Sequence, residues 1–255
     1  METVPCSINV LGVRLSALPM VEVLRTIVNW IETGERHYVT VATVHTLLEC
    51  QQNSSMKSAV NGASLITPDG MPLVWLLRRA GHRQQDRVYG PDLMLQLCEL
   101  SQQKGFKHFF YGGVPGVPEK LRENLKTRFP YLTICGFYSP PFRPLLPEED
   151  QQLTNMINQA DPDVVWVGLG TPKQDIWMAE HNQKLAAKVC IGVGAAFDFH
   201  AGRVKQAPRW MQRSGFEWAY RLWQEPRRLW RRYILGNPAF ICLTALQLLG
   251  LRKYE

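Results

Sequence analysis

The chain of 255 residues carries 29 lysine and arginine side chains against 22 aspartates and glutamates, a formal charge of +7. With 45% apolar and 20% charged residues, the composition excludes a disordered chain and a bundle of membrane helices. The six cysteines stand singly, without a CxxC pair, which argues against a zinc ribbon or a disulfide framework and is typical of a reducing compartment.

Apolar runs that alternate with amphipathic segments predict the secondary structure of the first 200 residues. Helical spacing predicts helices over 21–31, 93–100, 118–129 and 148–160, and the prolines of 138–144 predict a loop. Six short β-rich runs predict strands at His37–Thr43, Ser64–Thr67, Lys107–Tyr111, Leu132–Gly136, Asp163–Gly168 and Lys188–Val193. Alternating strands and helices indicate an α/β fold with a Rossmann-like, mostly parallel sheet and flanking helices.

The end of the chain has a different character. Residues 203–255 hold 11 basic and 3 acidic side chains and half of the eight tryptophans, whereas residues 1–202 hold 18 basic and 19 acidic ones. We therefore predict an α/β catalytic body over 1–202, with two lobes meeting near 100–106 as an alternative organisation. Residues 203–255 are predicted to form a basic, aromatic, helical appendage, with helices separated at Pro226 and Pro238, that faces an anionic membrane surface.

Three predicted strands end in glycine-rich turns, at 111–116, 168–173 and 192–196. In an open α/β sheet the ligand crevice lies beyond the carboxyl ends of the strands, where glycine lets the backbone approach a phosphate. Gly112 and Gly113 are therefore candidate binding residues, although any one such turn is equally typical of an ordinary strand–helix connection. No complete GxGxxG or Walker loop is present, which argues against a nicotinamide cofactor or an ATPase.

Polar side chains at the same predicted edge are candidates for the chemistry. Asp69 follows a strand and precedes a glycine, a place where a general base is useful, although the fragment alone is more typical of a turn or a helix cap. Arg87 can bind an anion or simply be solvated, while Gln174 and Asp198 follow glycine-rich strand ends. The six histidines show no metal-ligand spacing, so we expect no catalytic metal, and His45 is expected to be structural.

Taken together, these segments resemble the WecG/TagA/CpsF glycosyltransferase family. Any one motif is weak, but the ordered set is highly specific and covers most of residues 37–237. The matching segments are Thr67–Trp75, Arg87–Asp92, Phe110–Gly116, Val167–Gln174, Gly192–Gly202, Ala207–Gln212 and Tyr220–Asn237.

The resemblance implies an inverting, metal-independent glycosyltransferase that needs no cofactor. Such an enzyme moves a hexose-type sugar (N-acetylmannosamine, its uronic acid, or a glucose-like sugar) from a UDP-sugar to a polyprenyl-diphosphate-linked sugar. The products serve bacterial cell-surface polysaccharides such as wall teichoic acid linkage units, capsule or exopolysaccharide. The implied location is the cytoplasmic face of the cell membrane, with peripheral attachment, and the resemblance leaves a homo-oligomer open.

The resemblance also implies residue roles. Asp69 would deprotonate the acceptor hydroxyl, Arg87 and Gln174 would line the donor or acceptor site, and Asp198 would help to bind uracil. Three tail arginines would hold diphosphate groups: Arg221, Arg228 and Arg231. One segment departs from the family, because Val41 and Thr43 stand where its Thr-x-Asn-Val-His run has threonine and asparagine. Thr43, a further catalytic candidate, keeps a hydrogen-bond donor but lacks the second functional group of an amide.

Two other classes of protein fit parts of the sequence. A basic tail with interleaved aromatics is also typical of a nucleic-acid-binding protein, although no RRM, KH or zinc motif is present. A Rossmann dehydrogenase is a weaker alternative. The late apolar stretch of 239–251 is shorter than the ~20 residues that span a bilayer, so we expect attachment to the membrane surface and no crossing.

Overall fold

A short antiparallel hairpin, which the sequence did not predict, begins the described part of the chain. In the computed structural model, which describes residues 6–254, β1 (Ser7–Val10) pairs with β2 (Val13–Ser16). The two turn residues, Leu11 and Gly12, both have positive φ angles, as a two-residue hairpin with the native strand twist requires. Leucine is unusual in that conformation, which is why residue propensity gave no signal here.

Six parallel strands form the main sheet and confirm the predicted α/β fold. Their order is β4-β3-β8-β7-β5-β6, and every pairing is parallel. The strands are β3 (His37–Ala42), β4 (Leu65–Pro68), β5 (Lys107–Gly112), β6 (Thr133–Tyr138), β7 (Val164–Gly168) and β8 (Val189–Gly192). All six predicted strands are confirmed, with ends within two residues of those expected.

Helices cover both faces of the sheet. The four predicted helices are confirmed as α1 (Met20–Thr33), α5 (Gly90–Lys104), α6 (Val117–Arg128) and α7 (Pro147–Ala160). Five shorter helices were not predicted: α2 (Val44–Gln52), α3 (Ser54–Asn61), α4 (Met71–Arg79), α8 (Lys173–His181) and α9 (Ala196–His200). Local caps start two of them, because the side chains of Thr43 and Asn53 accept the first free N–H groups of α2 and α3.

The central strands are buried on both faces. In β7, Trp166 packs with Ile27 of α1 and Phe110 in one apolar cluster, while its neighbour Val165 packs with Ile157 of α7 in another. Burial on both faces is why these strands read as continuous apolar runs rather than alternating ones. The two clusters hold the sheet rigidly, so its carboxyl edge is a fixed platform.

The tail is helical, and one predicted boundary is wrong. It forms α10 (Arg209–Arg213), α11 (Glu217–Gln224), α12 (Pro226–Trp230), a π-helical turn (Arg231–Leu235) and α13 (Gly236–Leu248). Pro226 begins α12 as expected, but no break occurs at Pro238. The π-helical turn runs directly into α13, so the helix continues through Pro238, which lacks only its own N–H.

The last helix packs against the start of the chain. Phe240 of α13 is buried in a cluster with Leu11 and Leu47, and the Gln247 side-chain amide accepts from the Leu11 N–H at 2.9 Å. The division of the chain at residue 202 stays a prediction. Among residues 6–254, no helix combines the length and the apolar character that crossing a membrane requires.

Candidate active site

The order of the strands creates a crevice at the carboxyl edge of the sheet. The strands β5 and β7 are neighbours, but their connections run to opposite edges of the sheet. The chain passes from β5 to β6 on one side and from β7 to β8 on the other. Such a switch point is where open α/β sheets bind their ligands. A cavity of about 1470 Å³ opens there, lined by glycines that include Gly113, Gly168 and Gly194. The predicted glycine turns therefore meet at one place.

Gly112 and Gly113 bring two of these turns into contact. Gly112 has a φ of +128°, and a Cβ there would lie 2.5 Å from the carbonyl carbon of Gly168. The Gly113 N–H donates to the Gly168 carbonyl at 3.1 Å. No other residue type fits at Gly112, since real Cβ atoms do not approach backbone so closely. The bare backbone at this turn borders the floor of the crevice.

Asp69 and Arg87 form a buried ion pair at the end of β4. The Asp69 N–H donates to the Ala42 carbonyl at 2.8 Å, and the Val88 N–H donates to the Pro68 carbonyl at 2.9 Å, so both flanks are fixed to the sheet. Arg87 donates to Oδ1 of Asp69 from Nη2 at 2.7 Å and from Nε at 3.0 Å, and Nε also donates to the Asp69 carbonyl. Both side chains are about 15% exposed. Within residues 6–254, Oδ2 accepts no hydrogen bond and is available to a substrate.

Opposing effects set the protonation of Asp69. Burial raises the pKa of its carboxyl, Arg87 lowers it, and Glu217 raises it, with a net shift upward from the ordinary value. A carboxylate with a raised pKa is a better proton acceptor, and the guanidinium of Arg87 beside it favours its charged form. The geometry therefore suits a general base.

Glu217, which the sequence did not single out, brings the tail into this site. Its Oε2 lies 2.6 Å from Nη1 of Arg87, and Tyr89 donates to its Oε1 at 3.3 Å. The Arg87 guanidinium also lies 3.9 Å from the centre of the Tyr89 ring. Glu217 is one of few acidic residues in a basic tail, and that was the signal available in the sequence.

Two half-buried arginines of the tail, Arg221 and Arg232, face the same region. Arg221 lies 5.6 Å from the centre of the Phe199 ring, and Arg232 donates from Nη2 to Oγ1 of Thr43 at 3.4 Å. In each side chain Nε is buried without a hydrogen-bond partner, and neither is ion-paired in the described part of the chain. Burial is the largest effect on the pKa of Arg232 and lowers it; Arg221 and Arg228 lower it further, and these effects outweigh the upward effects of Tyr233 and Asp69.

Arg232 was not among the predicted site residues, whereas Arg231 was. Arg231 is exposed, with its guanidinium 5.3 Å from the centre of the Trp230 ring. The helical period of α11 could not separate these two neighbours, because the helix is interrupted before Pro226 and both arginines lie in the π-helical turn.

Of the other candidates, Asp198 and Arg228 line the crevice, whereas Gln174 and Thr43 lie outside its lining. Gln174 is buried, and its Oε1 accepts from the Gly194 N–H at 3.1 Å, so it fixes the turn after β8. Asp198 lines the cavity 3.4 Å from Arg203, and Arg228 lines it while donating to Glu225 at 2.8 Å. Thr43 caps α2 beside Arg232.

His45 lies close to this cluster. Its burial, together with Arg232, lowers its pKa to about 4, so the ring is neutral near pH 7. No group of three or more His, Cys, Asp or Glu side chains within residues 6–254 could hold a metal ion.

Comparison with known proteins matches residues 8–254 to the model of the glycosyl transferase WecG/TagA/CpsF family. The chain belongs to this family. Similar curated relatives are two enzymes named N-acetylglucosaminyldiphosphoundecaprenol N-acetyl-beta-D-mannosaminyltransferase. The one from Bacillus spizizenii is 30% identical over 83% of this chain and 80% of its own length. The one from Bacillus subtilis is 30% identical over 86% of each chain.

Membership of the WecG/TagA/CpsF family confirms the resemblance and makes the protein a glycosyltransferase. The match extends through the tail, so α10 to α13 belong to the family region. An enzyme is thereby favoured over the nucleic-acid-binding and dehydrogenase alternatives.

Proposed function

We propose that the protein transfers a hexose-type sugar, with inversion and without a metal, from a UDP-sugar to a polyprenyl-diphosphate-linked sugar in the assembly of a bacterial cell-surface polysaccharide. The relatives are named for a diphosphoundecaprenol-linked N-acetylglucosamine acceptor and an N-acetylmannosaminyl group. N-acetylmannosamine is therefore our first candidate for the transferred sugar. The observation that carries the proposal is the buried Asp69–Arg87 pair together with two tail arginines, Arg221 and Arg232, whose Nε atoms have no hydrogen-bond partner within residues 6–254.

The proposed reaction is a single displacement at the anomeric carbon. Asp69 accepts the proton of the acceptor hydroxyl through Oδ2 as that oxygen attacks, and the bond from the anomeric carbon to UDP breaks on the opposite face. A positioned base contributes about 10²–10⁴ to such a rate. Arg87 keeps Asp69 ionised and fixes its orientation, because it holds Oδ1 with two hydrogen bonds.

The leaving diphosphate gains negative charge in this step and needs compensation. Guanidinium groups grip phosphate through two parallel hydrogen bonds, and they do so most strongly where water is excluded. Arg221 and Arg232 have unpaired, buried Nε atoms and Arg228 lines the crevice, so we assign these three to the diphosphate groups. Arg231 was implied for the same role, and its exposed position beside Trp230 favours the membrane surface instead.

The remaining candidates serve the nucleotide and the sugar. Gly113 and Asp198 line the crevice, where bare backbone suits phosphate and a carboxylate suits the N–H of uracil. Gln174 acts by holding the Gly194 turn. Thr43 contributes a hydroxyl beside Arg232, in the position where the family usually has asparagine.

The proposed function is tested by a donor screen with purified full-length protein. We expect transfer from UDP-N-acetylmannosamine to synthetic N-acetylglucosaminyl-diphosphate-polyprenol, with a β-linked product and no loss of rate in EDTA. If the enzyme instead uses the UDP-linked uronic acid or a glucose-like donor, the identity of the transferred sugar changes but the proposed reaction stands. Absence of transfer from every UDP-sugar would refute the proposal, and loss in EDTA would refute metal independence.

An exposed apolar stripe on the tail supports docking on an anionic membrane surface. Trp223 and Ile241 are 78% and 66% exposed, and Trp230, Ile234 and Leu248 are also exposed along α11 to α13. Arg227 and Arg231 are exposed in the same segment. Tryptophan favours the bilayer interface, and each basic side chain near an anionic leaflet adds about 1 kcal/mol of attraction.

Substituting serine for both Trp223 and Ile241 is expected to weaken binding to anionic vesicles at least about tenfold, because two large apolar contacts with lipid are lost. Flotation with phosphatidylglycerol vesicles measures this. Tyr131→Ser is the matched control, since Tyr131 is 82% exposed but lies on the body after α6. Equal binding by the double variant and the wild type would contradict docking through this stripe.

A further inference from the structure

We propose that Glu217 is a positioning residue for sugar transfer, supplied by the tail to hold Arg87 against Asp69. The inference rests on the proposed function, because it gives Glu217 a task in that reaction. Asp69 takes the Nε–Nη2 edge of the guanidinium, and Glu217 Oε2 lies 2.6 Å from the remaining nitrogen, Nη1. The Glu217 side chain is 12% exposed, so this contact is shielded from water.

Two carboxylates restrict Arg87 more than one can. Fixing an arginine side chain in one rotamer costs about 2 kcal/mol of conformational entropy. Hydrogen bonds to only one edge of the guanidinium leave it able to rotate about that edge. Glu217 fixes the opposite side, and the Tyr89 ring, 3.9 Å away, fixes the plane. Because Arg87 in turn holds Oδ1 of Asp69, the orientation of Oδ2 toward a substrate depends on the tail.

The loop before Glu217 packs closely against helix α4 of the body. Gly215 has a φ of +80°, and a Cβ there would lie 2.9 Å from the ring of Trp75 and 3.5 Å from Cβ of Met71. Both partners belong to α4, the helix that starts two residues after Asp69. This packing places the start of α11 beside Asp69. Glu217 therefore reaches Arg87 because Gly215 packs on α4.

Glu217 also acts on the charge of Asp69. Five charged or titratable groups interact electrostatically with Asp69. They are Arg87 and Tyr89 before α5, Glu217 and Arg221 in α11, and Arg232 in the π-helical turn. Burial, the largest effect, raises the pKa of Asp69; Arg87 lowers it and Glu217 raises it. Neutralising Glu217 removes an upward contribution, so the pKa of Asp69 should fall and the base should weaken.

The test compares three full-length variants in the kcat/KM–pH profile, with a short-chain, water-soluble polyprenyl-diphosphate acceptor that needs no membrane. Glu217→Gln should lower the plateau about tenfold and move the acid limb down by about 0.5–1 pH unit. Glu217→Asp keeps the charge but is one methylene shorter, so kcat should fall with little movement of the limb. Glu123→Gln, which removes a carboxylate from an exposed pair with Lys120, should change neither.

Separate outcomes decide the inference and the function on which it rests. Two outcomes would overturn the positioning role. One is wild-type kcat in Glu217→Asp, and the other is an equal loss of kcat/KM in both variants with an unmoved acid limb. Either would mean that Glu217 serves only to pack α11. If Glu217→Gln does not fold, Glu217→Asp decides: reduced kcat with unchanged affinity for UDP supports the role, and wild-type kcat overturns it. Failure of the wild type to transfer any sugar would instead refute the proposed function.

Discussion

Replacing Asp69 by asparagine is expected to lower kcat for sugar transfer by about 10³-fold, within the range that a positioned base contributes. Asparagine has the same shape, and its side-chain oxygen can still accept from Arg87, so the pair stays hydrogen-bonded. What is lost is the negative charge that takes the proton of the acceptor hydroxyl. Single-turnover transfer measured at saturating donor reports this step directly.

The control for Asp69→Asn lies on the neighbouring loop. Asp86 precedes Arg87 directly, is exposed, and pairs with Arg78 at 3.2 Å, so Asp86→Asn should transfer sugar at the wild-type rate. Affinity for UDP, measured by calorimetry, should be unchanged in both variants, because Asp69 is assigned to the acceptor hydroxyl and Asp86 pairs with Arg78 at the surface. Retention of more than about a tenth of wild-type kcat in Asp69→Asn would remove Asp69 from the role of base.

The parts of the fold that the sequence predicted are those whose signal is local. The six strands and four long helices depend on apolar periodicity within a short window, and their bounds lie within two residues of those predicted, except that α5 extends beyond the predicted 93–100 at both ends. The hairpin was missed because Leu11 occupies a positive-φ position that glycine or asparagine usually marks. The register of the tail was missed because a π-helical turn has no sequence signature of its own.

In the candidate site too, the sequence predicted local features but not contacts between distant segments. The motifs identified Asp69 and Arg87, which are 18 residues apart, but not their contact with Glu217, which is a further 130 residues along the chain. Only tertiary structure brings an acidic residue of the tail to the arginine of the body. Likewise, the resemblance implied that Gln174 lines the donor or acceptor site, but not its hydrogen bond to the Gly194 turn, a contact between two segments that local pattern does not link.

Arg232 allows a prediction in which activity and stability change in opposite directions. Within residues 6–254 its half-buried guanidinium has no ion-pair partner, and its lowered pKa shows that burial outweighs the attraction of Asp69, so the folded protein without substrate bears a cost for this charge. Arg232→Met keeps the length of the side chain and removes that cost. The melting temperature should therefore stay the same or rise, while kcat/KM falls about 100-fold, since hydrogen bonds to a charged group contribute about 1.5–3 kcal/mol.

Arg231→Met is the control, because the two arginines are consecutive but differ in exposure. Arg231 is exposed beside Trp230, so its loss should leave transfer to a water-soluble acceptor within about threefold of wild type and weaken only vesicle binding. The reverse result, a large loss of transfer in Arg231→Met and a small one in Arg232→Met, would return the diphosphate role to Arg231. A fall in melting temperature in Arg232→Met would mean that the contacts of Arg232 with Thr43 and the Tyr233 ring outweigh the cost of its buried charge.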